Sequence, residues 1–213
     1  MSAATARKPC VALLEIHSLG AALVVLDRVE KSALVQVLQA ELNDAYGLFL
    51  KLTGDAAAVR IAVDCARELT QTMQVALTAD VLDSPSAAAW PVIEGPPEYQ
   101  PLLEQEVVFI PGRRAHPMTD KDQIPEALGL IETQGFTAVT AATDAACKTA
   151  AVRVIAKEKL GGGYITVIFA GDIAAVTAAV SAGREAAEAV GKVISCHVIA
   201  RPSAGVGQIL TRI

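Results

Sequence analysis

Three histidines and four cysteines are the side chains best suited to hold a metal or attack an electrophile, and their placement argues against both. His17, His116 and His197 are scattered, and none lies three or four residues from another ligand type in a zinc spacing. Cys10, Cys65, Cys147 and Cys196 are far apart and form no Cys-x-x-Cys pair. They read as reduced thiols that behave as small hydrophobes. No nucleophile–base pairing stands out, no clustered carboxylates mark a cleft, and no phosphate-binding loop runs into lysine and Ser/Thr. The expectation is no enzymatic activity, no metal and no cofactor. Two features remain. Gly161-Gly162-Gly163, taken alone, is a hairpin turn that needs positive φ. Lys31 and Lys148 are last-turn lysines that complement a helix macrodipole.

The composition fits a folded chain that contacts neither nucleic acid nor membrane. Hydrophobic residues make up 53% of the 213 positions and charged residues 19%, while aromatics are only 4%. Burial can exceed the entropy of ordering such a chain, so disorder is a poor description of it. Its apolar content is largely alanine and valine, which favours thin, closely packed layers that leave apolar surface for a partner subunit. A net charge of −5 with no basic stripe excludes nucleic acid as a natural partner. No signal-like segment and no charge-free run of eighteen apolar residues is present, so the expectation is a soluble, cytosolic protein.

The elements that position these residues occur twice. Sliding the sequence by 117 positions sets Cys10–Trp90 on Ala127–Gly207 without a gap, with 22 of 81 aligned positions identical. Glu15 falls on Glu132, Asp27 on Asp144, Lys31 on Lys148, Glu41 on Glu158, and Gly54-Asp55 on Gly171-Asp172. Two alanine-rich segments would not keep charged residues in register by accident, so this is a duplicated domain. In each copy an apolar run of strand length (Val11–Ile16, Leu128–Thr133) precedes a helical pattern (Leu19–Ser32, Phe136–Thr149), with Ser18 available to cap the first. A hairpin follows, over Leu34–Leu42 with Gly47–Thr53 and Ala151–Lys159 with Tyr164–Ala170. Gly-Asp then starts a second helix, whose apolar face includes Val59 to Met73 in one copy and Val176 to Val190 in the other. A last strand, about Val75–Leu82 and Lys192–Ile199, ends near proline. The fold predicted is α/β (α+β), two tandem ferredoxin-like domains, each an antiparallel sheet with both helices on one face. The domains span 10–90 and 126–208. The segment 91–125 holds seven of the ten prolines and reads as an ordered crossing with one short strand at Glu106–Ile110.

The second copy resembles the shell domain of bacterial microcompartments, the BMC domain. Ala127–Thr133 looks like that family's opening strand, Asp144–Ala150 like the end of its first helix, and Glu158–Gly163 like its pore loop. Ala170–Val176 is similar to the start of its second helix, and His197–Pro202 to its closing strand. The first copy departs in its loop, Asn43-Asp44-Ala45-Tyr46-Gly47, and lacks the arginine of the closing strand, where Ser84 stands opposite Arg201. The unpermuted strand order points to the fused, trimeric subfamily.

That resemblance implies a structural shell protein, a homotrimer with six domains around a pseudo-sixfold axis. It would tile with hexameric and pentameric shell proteins in the cytoplasm and pass small metabolites through a central pore. It places Asn43, Asp44, Ala45, Tyr46, Lys159, Leu160, Gly161, Gly162 and Gly163 around the pore, and Lys31, Lys148 and Arg201 at the edge between plates. Backbone N–H groups of the glycines could meet anionic or polar metabolites there. A tandem ferredoxin-like regulatory protein binding a small effector between its domains is the alternative from another class. An iron–sulfur conduit of the kind some tandem shell proteins carry would need a loop cysteine, and neither loop has one.

Overall fold

The computed structural model describes residues 10–43, 47–94 and 125–210. The first domain runs β1 (Cys10–Ile16), α1 (Leu19–Ser32), β2 (Val35–Asn43), β3 (Gly47–Gly54), α2 (Ala56–Met73) and β4 (Leu77–Leu82), followed by a short helix α3 (Trp90–Ile93). The second runs β5 (Ala127–Gln134), α4 (Phe136–Thr149), β6 (Arg153–Leu160), β7 (Tyr164–Gly171), α5 (Ile173–Glu188) and β8 (Lys192–Ala200), followed by α6 (Ala204–Leu210). Their sheets have the orders β2-β3-β1-β4 and β6-β7-β5-β8, every pairing antiparallel. This is the predicted ferredoxin-like arrangement, twice. The duplication extends to an irregularity. The β2–β3 ladder shifts register between Val37 and Gln39, and β6–β7 shifts between Val154 and Ala156, at the equivalent place.

Local chemistry accounts for the helix starts. The carboxylates of Asp55 and Asp172 accept the Ala58 and Ala175 amides, each at 2.8 Å, at the N-caps of α2 and α5. Ser18 caps α1 by accepting the Ala21 amide at 3.1 Å. Its counterpart Gly135, at φ 101, gives α4 no side-chain cap.

The start of β4 and the end of α5 differ from the sequence reading. α2 ends in left-handed Gln74 at φ 57, so Val75 falls in the turn and β4 begins only at Leu77. α5 stops at Glu188, and the Val190 and Gly191 amides both turn back onto the Ala187 carbonyl. Val190, predicted on that helix's apolar face, is consequently 53% exposed. α3 and α6 were not predicted, being too short for a period to register. Residues 95–124, including the predicted strand Glu106–Ile110, lie outside the described residues.

Alternate residues of the strands build the cores beneath the helices. Ala12, Leu14 and Ile16 of β1 and Leu48, Leu50 and Leu52 of β3 pack with α1 and α2. Ile131, Val167 and Phe169 pack with Val139, Ala142, Val176 and Ala179. In the second domain glycine sets the layer spacing. A Cβ at Gly183 would lie 2.5 Å from Ile131 Cδ1 and 2.9 Å from the Ala142 carbonyl oxygen. Replacing glycine in a helix ordinarily gains up to about 1 kcal/mol, but overpacking a tight core costs about 1–3 kcal/mol. The backbone contact cannot rotate away, so the second effect wins. Gly183→Val should lower the urea midpoint by an amount worth about 2 kcal/mol. An unchanged or raised midpoint would contradict the close α4–α5 crossing.

Candidate functional site

The two domains meet through a contact that uses different surfaces on each. The face of the second sheet that carries no helix of its own presents Leu128, Leu130, Ile168, Ala170 and Ile199, and these join the apolar cluster of the first domain. α1 covers that face, lying against β5 and β8 while packing on its own sheet. Leu19 and Leu23 of α1 are fully buried. Val206, Ile209 and Leu210 of α6 belong to the same cluster and close the seam beside α1 and β2.

A carboxylate sits in the middle of this apolar contact. Glu132 of β5 is only 1% exposed. The Ser18 hydroxyl donates to its Oε2, the Ser195 hydroxyl donates to the same oxygen at 3.1 Å, and the Leu19 amide reaches Oε1 at 3.3 Å. The positive end of α1 is thus closed by an anion from the other domain. Gly20 allows the approach, since a Cβ there would stand 3.0 Å from Ser195 Oγ and 3.3 Å from His197 Cδ2. Burial depresses the His197 pKa, and its Nε2 is enclosed without a hydrogen-bond partner among the described residues. Burial pushes the neighbouring Cys196 thiol up to about 11, which leaves it unreactive at neutral pH.

At the rim, acidic side chains of α1 receive backbone amides of the second domain. Asp27 accepts from Ser203 N at 2.8 Å and Glu30 from Gly205 N at 2.9 Å. Lys31 pairs with Asp27 at 2.7 Å and donates to the Ala200 carbonyl at 3.0 Å. Arg201, the next residue, is exposed and held at φ 48, an uncommon conformation for a non-glycine residue. Two of the three predicted edge residues, Lys31 and Arg201, therefore stand at one rim. Lys148 pairs with Asp144 at 2.6 Å, its side chain 73% exposed against 42% for Lys31.

The predicted pore loop of the second domain is a tight 3-10 turn over Gly161–Gly163 between β6 and β7. Gly162 and Gly163 hold φ 71 and 80, the conformation predicted for the turn. The Gly163 carbonyl accepts from Gly135 N at 2.9 Å, tying the turn to the start of α4. A Cβ on Gly163 would meet nothing within 4 Å. Leu160 is buried in the core, so it contributes backbone alone to this loop, whereas Lys159 is exposed. In the first domain Asp44, Ala45, Tyr46 and the side chain of Asn43 lie outside the described residues. Burial raises the pKa of Glu158, against the nearby Lys157 charge.

Sequence reasoning proposed Ser18 as a cap and aligned Glu132 with Glu15, but assigned Glu132 no role. Its burial comes from residues 113 and 114 positions away. The one available signal was a glutamate inside an otherwise apolar strand. Among the described residues no three His, Cys, Asp or Glu side chains gather as a metal site, and no helix is long and apolar enough to cross a membrane.

Two antiparallel βαββαβ domains, repeated in one chain and joined helix-to-sheet, define a tandem α/β protein. The BMC domain model matches residues 10–85 and 127–202, and the chain belongs to that family, carrying its domain twice. It is similar to the bacterial microcompartment shell protein PduA of Citrobacter freundii, 49% identical over 87 residues that cover 41% of this chain and 94% of that protein. It is also similar to the carboxysome shell protein CsoS1A of Hydrogenovibrio crunogenus, 48% identical over 86 residues, 40% of this chain and 90% of that one. Nearly the whole of each relative thus aligns with less than half of this chain. A solved microcompartment protein from Desulfitobacterium hafniense DCB aligns over 97% of this chain and 99% of its own, at 24% identity and a TM-score of 0.39.

The seam yields a stability prediction. Glu132→Ala strands two hydroxyls and an amide in an apolar contact, a loss on the order of 3 kcal/mol, to be measured by urea unfolding. A change below about 0.5 kcal/mol, as for an ordinary surface substitution, would show that the carboxylate does not hold the domains together.

Proposed function

We propose that this chain is a structural subunit of a bacterial microcompartment shell, assembling as a pseudohexameric homotrimer that tiles with hexameric and pentameric shell proteins in the cytoplasm. The observation that carries this reading is the head-to-tail docking of two BMC domains within one chain, joined through unlike surfaces. A heterologous contact of this kind, repeated, closes into a ring or runs on as a filament. The family relatives named as shell proteins support the ring. Light scattering at micromolar concentration should give three times the 22.1 kDa chain mass, and a monomer or dimer would overturn the proposal.

In such a ring three Gly161–Gly163 turns would alternate with three Asn43–Tyr46 loops around the axis, leaving a threefold pore for small metabolites. The open space beside Gly163 supports this placement, and the turn's backbone amides suit polar or anionic solutes. Asp44 would add three carboxylates near the axis, and Lys159 three ammonium groups farther back. Ala45→Cys should cross-link subunits or narrow the pore on thiol modification, and neither would happen on a loop facing outward from a monomer.

Lys31, Lys148 and Arg201 are assigned to the edge where plates meet. Each ion pair is worth only about 0–1 kcal/mol when exposed, but the contact recurs along every edge. Lys148→Ala combined with Arg201→Ala should abolish extended sheets in negative-stain micrographs while leaving trimers. Unchanged sheets would remove both residues from the edge.

A further inference from the structure

The two sheets keep one carboxylate in common but surround it differently. Glu41 of β2 and Glu158 of β6 occupy equivalent positions, each on the helix-free face of its sheet. In the first sheet the Lys51 ammonium lies 3.0 Å from Glu41 and 2.8 Å from the Gln39 amide oxygen, over the Phe49 ring. In the second sheet Ile168 stands in place of Lys51, Ala156 in place of Gln39 and Thr166 in place of Phe49. The carboxylate is retained, and every group that balanced it has changed. Glu158 is half-buried and forms no hydrogen bond or ion pair among the described residues.

Glu158 pairs with Thr166 across the β6–β7 ladder, and Thr166 pairs in turn with Glu132. Directly opposed side chains on one face stand about 4.5–5.5 Å apart at Cβ, so a turn of the Glu158 side chain reaches the Thr166 hydroxyl. Thr166 is 0% exposed, and its Oγ1 is enclosed without a hydrogen-bond partner among the described residues. Glu132 does not serve it, being committed to Ser18, Leu19 and Ser195. Ala156, Leu160, Tyr164 and Ile168 flank the pair on the same face and belong to the apolar seam or pack against it. A carboxylate in such surroundings is desolvated with no counter-charge on its own face, which favours its neutral form. An oxygen as enclosed as Thr166 Oγ1 leaves no space for a bound cation. A proton needs none.

We infer that Glu158 and Thr166 form a proton-binding pair, in which Glu158 is a neutral acid that donates to Thr166 Oγ1 at the edge of the seam. This goes beyond the shell-subunit reading and does not rest on it. Burial raises the Glu158 pKa in the same direction, and the Lys157 charge opposes this without reversing it. Lys157 and Lys159 flank Glu158 along β6 but alternate onto the other face of the sheet, where Lys157 lies over the Phe136 ring. The titratable groups facing the pair from β7 and β5 are Tyr164 and Glu132. α1, which carries Asp27, Arg28, Glu30 and Lys31, lies against β5 and β8, and α6 carries no charged side chain. A carboxyl that the fold holds protonated adds its full stability below the ordinary value of 4.5. That stability is lost as the pH rises through the higher folded value. The hairpin that carries the glycine turn is thus held most firmly in acid.

NMR of the Glu158 side-chain carboxyl carbon in the intact protein tests the pair directly. The carboxyl should titrate above 4.5, and T166V should lower that midpoint by removing the acceptor of the proton. A midpoint at or below 4.5, or one that rises in T166V, would overturn the pair. Urea unfolding gives a second readout, with E158Q as the neutral isostere. E158Q should match the wild-type midpoint near pH 4 and exceed it at pH 8. An E158Q chain no more stable than wild type at pH 8 would overturn the proposal. Stabilisation of the wild type by ammonium chloride beyond that by sodium chloride, absent in E158Q, would assign a cation there and overturn it equally. A monomer by light scattering would overturn the shell reading and leave this pair standing.

Discussion

Glu132 sets the terms on which the two domains of this chain coexist. A carboxylate removed from water needs donors on each oxygen, or its desolvation exceeds anything it returns. Here those donors come from two elements that have no local reason to be near one another. Ser18 and Leu19 belong to the start of α1, and Ser195 to the neighbouring strand of its own sheet. The arrangement is satisfied only when α1 lies at one height and one angle on the β5–β8 face. The surrounding leucines supply a non-directional attraction, and the buried anion selects a single docking from the many that apolar contact would tolerate.

The other contacts follow from that docking. With α1 fixed, Asp27 and Glu30, one and two turns beyond Leu23, come opposite the chain leaving β8, where Ser203 and Gly205 present free amides. α6 begins at this point and packs its apolar residues into the first domain's cluster. Gly205 lets the Glu30 carboxylate come close, since a Cβ there would stand 2.5 Å from Glu30 Oε1 and that side chain would have to move aside. The second domain's last helix is thus held in part by the first domain's first helix.

What was legible in the sequence is what depends on local period. α1 and α4 begin and end where the apolar pattern begins and ends, because their buried faces repeat every three or four residues. The Gly-Asp helix starts and the positive-φ glycine turn were legible for the same local reasons, a cap and a conformation. Val190 shows where such reading fails. It keeps the helical period, but α5 stops at Glu188 and is capped at Ala189, so the aliphatic side chain is left in solvent. The seam was illegible because its decisive bond joins Ser18 to Glu132 across more than half the chain. Local reading made Ser18 a helix cap and gave Glu132 no role, and only the sheet face that α1 covers gives them a common purpose.

Divergence between the copies follows the difference in their surroundings. The helix-free face of the second sheet carries Ile168 in the apolar seam, whereas the equivalent position in the first sheet is Lys51. Lys51 is 6% exposed, and its ammonium is satisfied by Gln39 at 2.8 Å and Glu41 at 3.0 Å, beside the Phe49 ring. A seam formed within one chain is never separated from its other half, so it can be as apolar as a core. Among the described residues the helix-free face of the first sheet carries exposed Thr78 and Asp80 beside the paired Lys51, and a contiguous apolar patch left in solvent there would invite unspecific association. One fold thus carries polar side chains where this face meets solvent and Ile168 where α1 covers the equivalent one.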